Sequence, residues 1–276
     1  MKSLLTIFSF VLLLASACNN DEDVIPTPPP ARDTEAETPP EISEEEVKPD
    51  KKVQPDIFYF GDSGDLPYRI LLPRTYDSVT HYPLHIFLHG MGERGDDNET
   101  HLSIGSSHFL ADSIRENYPA IIVYPQCPLG NFWFDEEITV KLKALVDSLQ
   151  KLYRVETDRI SIGGFSMGAY GTFEMVARYP GLFEAAVAIS GDGDEEEVAS
   201  MAKSRWQIFA GEKDEVVPSV RTKKIAEALL IAGASVSFTL YPEAGHDTIW
   251  LHALSEPGLF KWLFSEKSSV EQDQTN

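Results

Sequence analysis

From about residue 54 onward, short apolar runs alternate with longer stretches in which apolar residues recur at helical spacing. The short runs predict strands over residues 56–60, 68–72, 84–88, 121–124, 159–163, 185–190, 206–210 and 235–241. The longer stretches predict helices over 107–116, 136–153, 169–179, 219–232 and 259–264. In the second of these, Ile138, Leu142, Leu145 and Leu149 form one apolar stripe, as a helix lying on a sheet requires. Residues 61–64, rich in Gly and Asp, read as a turn between two antiparallel strands. The remaining strands alternate with helices, which implies a parallel arrangement. The expected architecture is α/β: one mostly parallel eight-stranded sheet with helices on both faces, spanning residues 53–267. No internal repeat or second domain is visible, and residues 268–276 form a polar tail.

The N-terminal segment has a different texture. Lys2 precedes an apolar stretch from Leu4 to Leu14, followed by Ala15, Ser16, Ala17 and Cys18. Eleven helical residues rise about 16 Å, well short of the ~30 Å hydrocarbon core, so a transmembrane span is not expected. Residues 1–17 instead read as a signal peptide. The small residues before Cys18 are similar to a bacterial lipoprotein signal, although Leu14 stands one position too early for the usual pattern. Cys18 is the expected lipidation site, and an ordinary cut after Ala17 is the alternative. Residues 18–52 read as a tether, since positions 19–52 hold eleven acids, four basic residues and seven prolines with little aliphatic material. Export is expected, with a lipid anchor to the outer membrane or the cell surface.

The full chain has 276 residues and a formal net charge of −21, a poor match to a phosphate backbone that binds Lys and Arg. No nucleic-acid partner is expected. Its two cysteines, Cys18 and Cys127, cannot form a disulfide framework, and no zinc-spaced ligand set or Walker loop is present. No metal or other cofactor is expected.

The chemistry concentrates around Gly164-Phe165-Ser166-Met167-Gly168, which follows an expected strand and opens an expected helix. In that context G-x-S-x-G places a serine on a sharp turn, where larger flanking residues would clash. Ser166 is the candidate nucleophile, and a serine hydroxyl needs a base oriented by a third group. Of seven histidines only His246 and His252 follow it; His246 sits in a loop after the last strand and His252 in a helical stretch. His246 is therefore the expected base. Asp214, one strand earlier, is the favoured acid, with Glu212, Asp192 and Asp194 as alternatives. An oxyanion would need backbone donors. The Met167 amide is one, and Gly90 or Met91 supplies the other, with Met91 favoured. His89 is expected to hold that loop, and Cys127 to be a packed residue.

Residues 56–266 resemble α/β-hydrolase esterases of the lidless group labelled predicted peptidases or phospholipase/carboxylesterase-like. The resemblance lies in residues 87–98 (FLHGMGERGDDN), 124–128 (YPQCP), 164–168, 211–218 and 245–247. It implies an α/β-hydrolase fold and ester hydrolysis more than peptide hydrolysis. Only fourteen residues separate Ser190 from Arg205, too few for a cap domain. An uncapped, exported site implies an ester substrate borne on a glycan, of acetyl or feruloyl type. Phe132, Trp133 and Trp250 are the candidate substrate-binding aromatics. A short-chain carboxylesterase or a peptidase is the alternative, and an inactive glycan-binding lipoprotein is the alternative outside enzymes.

Overall fold

The computed structural model describes residues 59–62 and 66–265. The expected signal, tether and tail, including Cys18, lie outside the described residues, as do the start of the first expected strand and residues 63–64 of the expected turn, while residues 61 and 62 continue the first strand. Among the described residues, eight strands form one sheet: β1 (Tyr59–Asp62), β2 (Pro67–Leu71), β3 (Tyr82–Leu88), β4 (Ile121–Pro125), β5 (Val155–Phe165), β6 (Ala185–Ile189), β7 (Arg205–Gly211) and β8 (Ser235–Tyr241). Their order is β1-β2-β4-β3-β5-β6-β7-β8. The pairs β1–β2 and β2–β4 are antiparallel, and every pair from β4 onward is parallel.

Side-chain alternation divides this sheet between two cores. Leu84, Ile86 and Leu88 of β3, Ile121 and Val123 of β4, and Trp206 and Ile208 of β7 enter one cluster. There they meet α3 (Glu136–Leu152), α4 (Met167–Arg178) and α6 (Ser219–Ile231). Phe87, Ile122, Tyr124, Val187, Ile189 and Phe209 point to the opposite face. That face is covered by α1 (Ser106–Leu110), α2 (Asp112–Asn117), α7 (His246–Leu254) and α8 (Leu259–Phe264). Successive side chains of a strand project to opposite faces, so a central strand apolar at every position must be covered twice.

The elements differ from the expected ones where local pattern and tertiary contact disagree. The helix expected over 107–116 is two helices, because Ala111 is extended (φ −57°, ψ 132°) and breaks the run between α1 and α2. Strand β5 begins four residues early, carried through Glu156–Asp158 by pairing of Val155 with Tyr82. Helix α4 begins at Met167, directly against the strand. Between β6 and β7 the connection contains one short helix, α5 (Val198–Met201), and no cap.

Candidate functional site

The site forms where parallel strands end and the chain turns into helices. Ser166 stands between β5 and α4 with φ 54° and ψ −120°, a conformation costly for a residue with a Cβ. The flanking glycines are there for space. A Cβ on Gly164 would lie 2.4 Å from the Gly168 carbonyl carbon, and one on Gly168 would lie 2.0 Å from the Leu88 oxygen. Any larger residue at either position would push α4 off β3 and β5. The Ser166 N–H is held by the Ile189 carbonyl at 2.9 Å, which ties the turn to β6.

His246 is the first residue of α7 rather than a loop residue, since Gly245 is extended and caps that helix while Thr248 Oγ1 accepts the Gly245 N–H. Its Nε2 lies 2.9 Å from Ser166 Oγ and its Nδ1 lies 2.9 Å from Asp214 Oδ2. An ionised carboxylate only accepts, so Nδ1 carries the proton and Nε2 presents its lone pair to the serine hydroxyl. Asp214 is buried after β7, and its other oxygen accepts the Val216 and Val217 N–H groups at 2.9 and 2.8 Å. Burial alone would raise its pKa. The bonds from His246 and the Val217 amide, with a weaker pull from Ser190, outweigh that and hold it below the usual carboxylate value.

The alternative acids are engaged elsewhere. Asp192 pairs with Arg221 Nε at 2.9 Å and accepts the Gly193 N–H. Asp194 caps a short turn through the Glu196 N–H, and Glu212 is exposed. His252 lies against Tyr241 in a tilted ring contact, centroids 5.2 Å apart, and makes no hydrogen bond to Ser166.

Beside the serine runs the loop that follows β3. His89 is fully buried; its Nε2 accepts the Cys127 N–H at 2.9 Å, so the proton sits on Nδ1, which donates to the Gly90 carbonyl at 2.6 Å. Burial pushes its pKa down to about 3, so the ring stays neutral near pH 7. The consequence follows from peptide planarity: with Gly90 C=O turned toward buried His89, the N–H of Met91 in the same trans peptide points the opposite way. Met91 and Met167 each begin a helical turn, where the N–H has no partner from its own helix. Of the two expected loop donors, this geometry favours Met91 over Gly90.

The motifs at 93–98 and 124–128 lace this loop to β4. Gln126 Nε2 donates to the Glu93 carbonyl and to Asp97 Oδ1, while its Oε1 accepts the Asn98 N–H. Arg94 Nε donates to the Met91 carbonyl at 3.1 Å, and its guanidinium lies over the Phe132 ring at 5.2 Å. Gln126 and Asn98 lie inside the sequence motifs at 124–128 and 87–98, but residue type alone does not tell which backbone group a side chain will hold.

Trp133 is a correction. It is fully buried, its Nε1 donates to the His89 carbonyl at 3.0 Å, and it packs in the core, so it supports the loop from beneath and does not face substrate. Phe132 is half-buried and stacks on Phe134 at 5.2 Å. Trp250 lies one turn after His246 on α7, edge-on to His108 at 6.0 Å. Cys127 is buried and free, with its thiol pKa pushed up to about 12 by burial.

Residues 115–248 match the Dienelactone hydrolase family. A thermostable esterase of solved structure is 27% identical, with a TM-score of 0.69 over 75% of this chain and 62% of its own. The strand order, the turn at Ser166 and these matches agree. The fold is that of the α/β-hydrolases. Two curated relatives of this α/β-hydrolase chain match over a shorter stretch. Poly(3-hydroxyalkanoate) depolymerase C of Paucimonas lemoignei is 29% identical over 122 residues, 40% of this chain and 28% of the relative. The bifunctional acetylxylan esterase/xylanase XynS20E of Neocallimastix patriciarum is 25% identical over 112 residues, 40% of this chain and 16% of the relative. The chain thus matches less than a third of either curated relative's length.

Proposed function

We propose that the protein is a serine carboxylic ester hydrolase acting on acetyl or feruloyl-type esters of a carbohydrate. The observation that carries this reading is the hydrogen-bonded chain Ser166–His246–Asp214, both links 2.9 Å, mounted on a strained strand-to-helix turn. In the proposed reaction Ser166 Oγ attacks the ester carbonyl while His246 Nε2 takes its proton. Asp214 holds the imidazole in the Nδ1–H tautomer and stabilises the imidazolium. The carbonyl oxygen, now negative, is met by the Met91 and Met167 N–H groups. Collapse expels the alcohol, protonated by His246. Water then attacks the acyl-enzyme with His246 again as base, which releases the acid and restores Ser166.

The carbohydrate part of the proposal draws on the absence of a cap and on the acetylxylan esterase among the relatives. Export and a lipid on Cys18 belong to the same proposal and rest on residues 2–18. The test is Ser166→Ala assayed on p-nitrophenyl acetate, methyl ferulate, acetylated xylan and peptide amides. The variant should lose about 10⁴–10⁶-fold in kcat/KM on esters. Near-wild-type turnover in Ser166→Ala would refute the nucleophile, and faster cleavage of amides than of esters would refute the ester reading.

A further inference from the structure

The sheet ends on one side at β1, four residues long and carrying Gly61 and Asp62, and on the other at β8, seven residues long. Among the described residues β8 pairs with β7 alone, so the backbone groups on its outer side have no strand partner. An edge of this kind templates pairing with another chain, and proteins usually blunt it with a charge, a proline, a bulge or short length. The β8 sequence Ser235-Val236-Ser237-Phe238-Thr239-Leu240-Tyr241 has no charge and no proline, and its register with β7 runs unbroken from end to end. Exposed apolar side chains gather at the same edge. Leu240 is 40% exposed, while Leu230 and Ile231, at the end of the α6 helix that packs against β8 and leads into it, are 61% and 87% exposed. The chain carries a net charge of −21, yet this edge is electrically balanced. Every charged residue of α6 is paired within the chain: Arg221 with Asp192, Lys223 with Glu227 and Lys224 with Glu195.

The residue order in β8 says which partner fits. Hydroxyl-bearing and apolar side chains alternate, and their order reads the same in both directions about Phe238. Two copies laid antiparallel about a twofold axis at Phe238 set Val236 opposite Leu240, Ser237 opposite Thr239 and Ser235 opposite Tyr241. Apolar side chains then meet on the α6 face, where Val236 and Phe238 already pack, and hydroxyls meet on the other face. Matched pairs of this kind stabilise an antiparallel ladder, and no like charges stand opposite one another. The opposed residues are of equal parity, so the outward N–H and C=O groups of one copy meet those of the other. Ile231 stands just before Ser235 in the chain, close to where the partner subunit's Leu240 arrives across from Val236. We infer that β8 is a homodimer edge, at which a second copy of this chain joins two eight-stranded sheets into one. The paired strands run in opposite directions, so the two Ser166 sites, at the C-terminal ends of their strands, open at opposite ends of the dimer.

The test is sedimentation velocity of the full-length protein over about 1–100 μM, a range that brackets a modest interface. Wild type should pass from a one-chain to a two-chain species as concentration rises. Ser237 is exposed, so Ser237→Lys should leave the urea midpoint of the monomer unchanged. In the dimer it sets two lysines diagonally across the axis and should raise the dissociation constant about 5–10-fold. A Ser237→Cys, Thr239→Cys double variant should form a covalent dimer on oxidation, because residue 237 of one copy faces residue 239 of the other; wild type controls for Cys18 and Cys127. Wild type that stays a single chain at the highest concentration would overturn the inference. So would a dimer that ignores Ser237→Lys, which would place the interface elsewhere, or a dimer that the cysteine pair does not cross-link. Should Ser237→Lys fail to fold, the wild-type mass and the cross-link decide between the same outcomes.

Discussion

Replacing His89 with Phe fills the ring's space and removes both of its polar atoms. Two backbone groups on buried residues then lose their partners, the Cys127 N–H and the Gly90 C=O. Each such orphan costs about 1–3 kcal/mol, so the variant should be about 2–6 kcal/mol less stable. In a domain of roughly 200 residues that lowers Tm by about 5–20 °C. Activity should fall separately. With the Gly90 carbonyl released, the Gly90–Met91 peptide is free to rotate, and losing one oxyanion donor costs about 10²–10³-fold in kcat. Two further variants separate the effects. Asn places its amide near the former Nδ1 and can still hold Gly90, so His89→Asn should recover most of kcat. Gln reaches the former Nε2 position and can still accept from Cys127, so His89→Gln should recover stability more than rate. A pH signature accompanies these changes. His89 titrates near 3 when folded and near 6.5 when unfolded, so the unfolded chain binds more protons between those values and stability rises with pH there. All three variants should flatten that slope by about one proton. The assays are p-nitrophenyl acetate kinetics well below Tm and urea unfolding at several pH values. If His89→Phe kept kcat within about threefold of wild type, or if Asn and Gln behaved alike, the link from His89 to the Met91 amide would be wrong.

Two other tests use the acids and the leader. Asp214→Asn should lower kcat/KM on p-nitrophenyl acetate by about 10⁴-fold, while Asp192→Asn, which loses only an ion pair to Arg221, should stay within about tenfold; the reverse order would move the acid. Because Asp214 is held below its unfolded pKa, it supports the fold above about pH 4 and that support fades as pH falls, so Asp214→Asn should show a shallower loss of stability on acidification. In a bacterial host, metabolic labelling with a radioactive fatty acid should mark the wild-type chain and not Cys18→Ser; label on both, or on neither, would contradict the anchor.

The alternation of apolar runs was enough to read an α/β sheet and most of its strands, because a strand buried on both faces draws most of its side chains from apolar residues. Ser166 was legible for a similar reason: the crowding around Gly164 and Gly168 admits little except glycine, so the constraint shows in residue type. What depended on distant partners was not legible. The break at Ala111, the early start of β5 and the helix that begins at His246 are all set by packing or capping rather than by local periodicity. The choice of Asp214 over Asp192 was decided by which carboxylate has a free oxygen turned to His246 and which is taken by Arg221. Trp133 reads as a surface aromatic beside two phenylalanines, yet it lies under the loop because its indole N–H is needed at the His89 carbonyl. Sequence alone left Gly90 and Met91 both open as donors. The tertiary structure separates them by placing a neutral histidine against one carbonyl, and a planar peptide then turns the next N–H the other way.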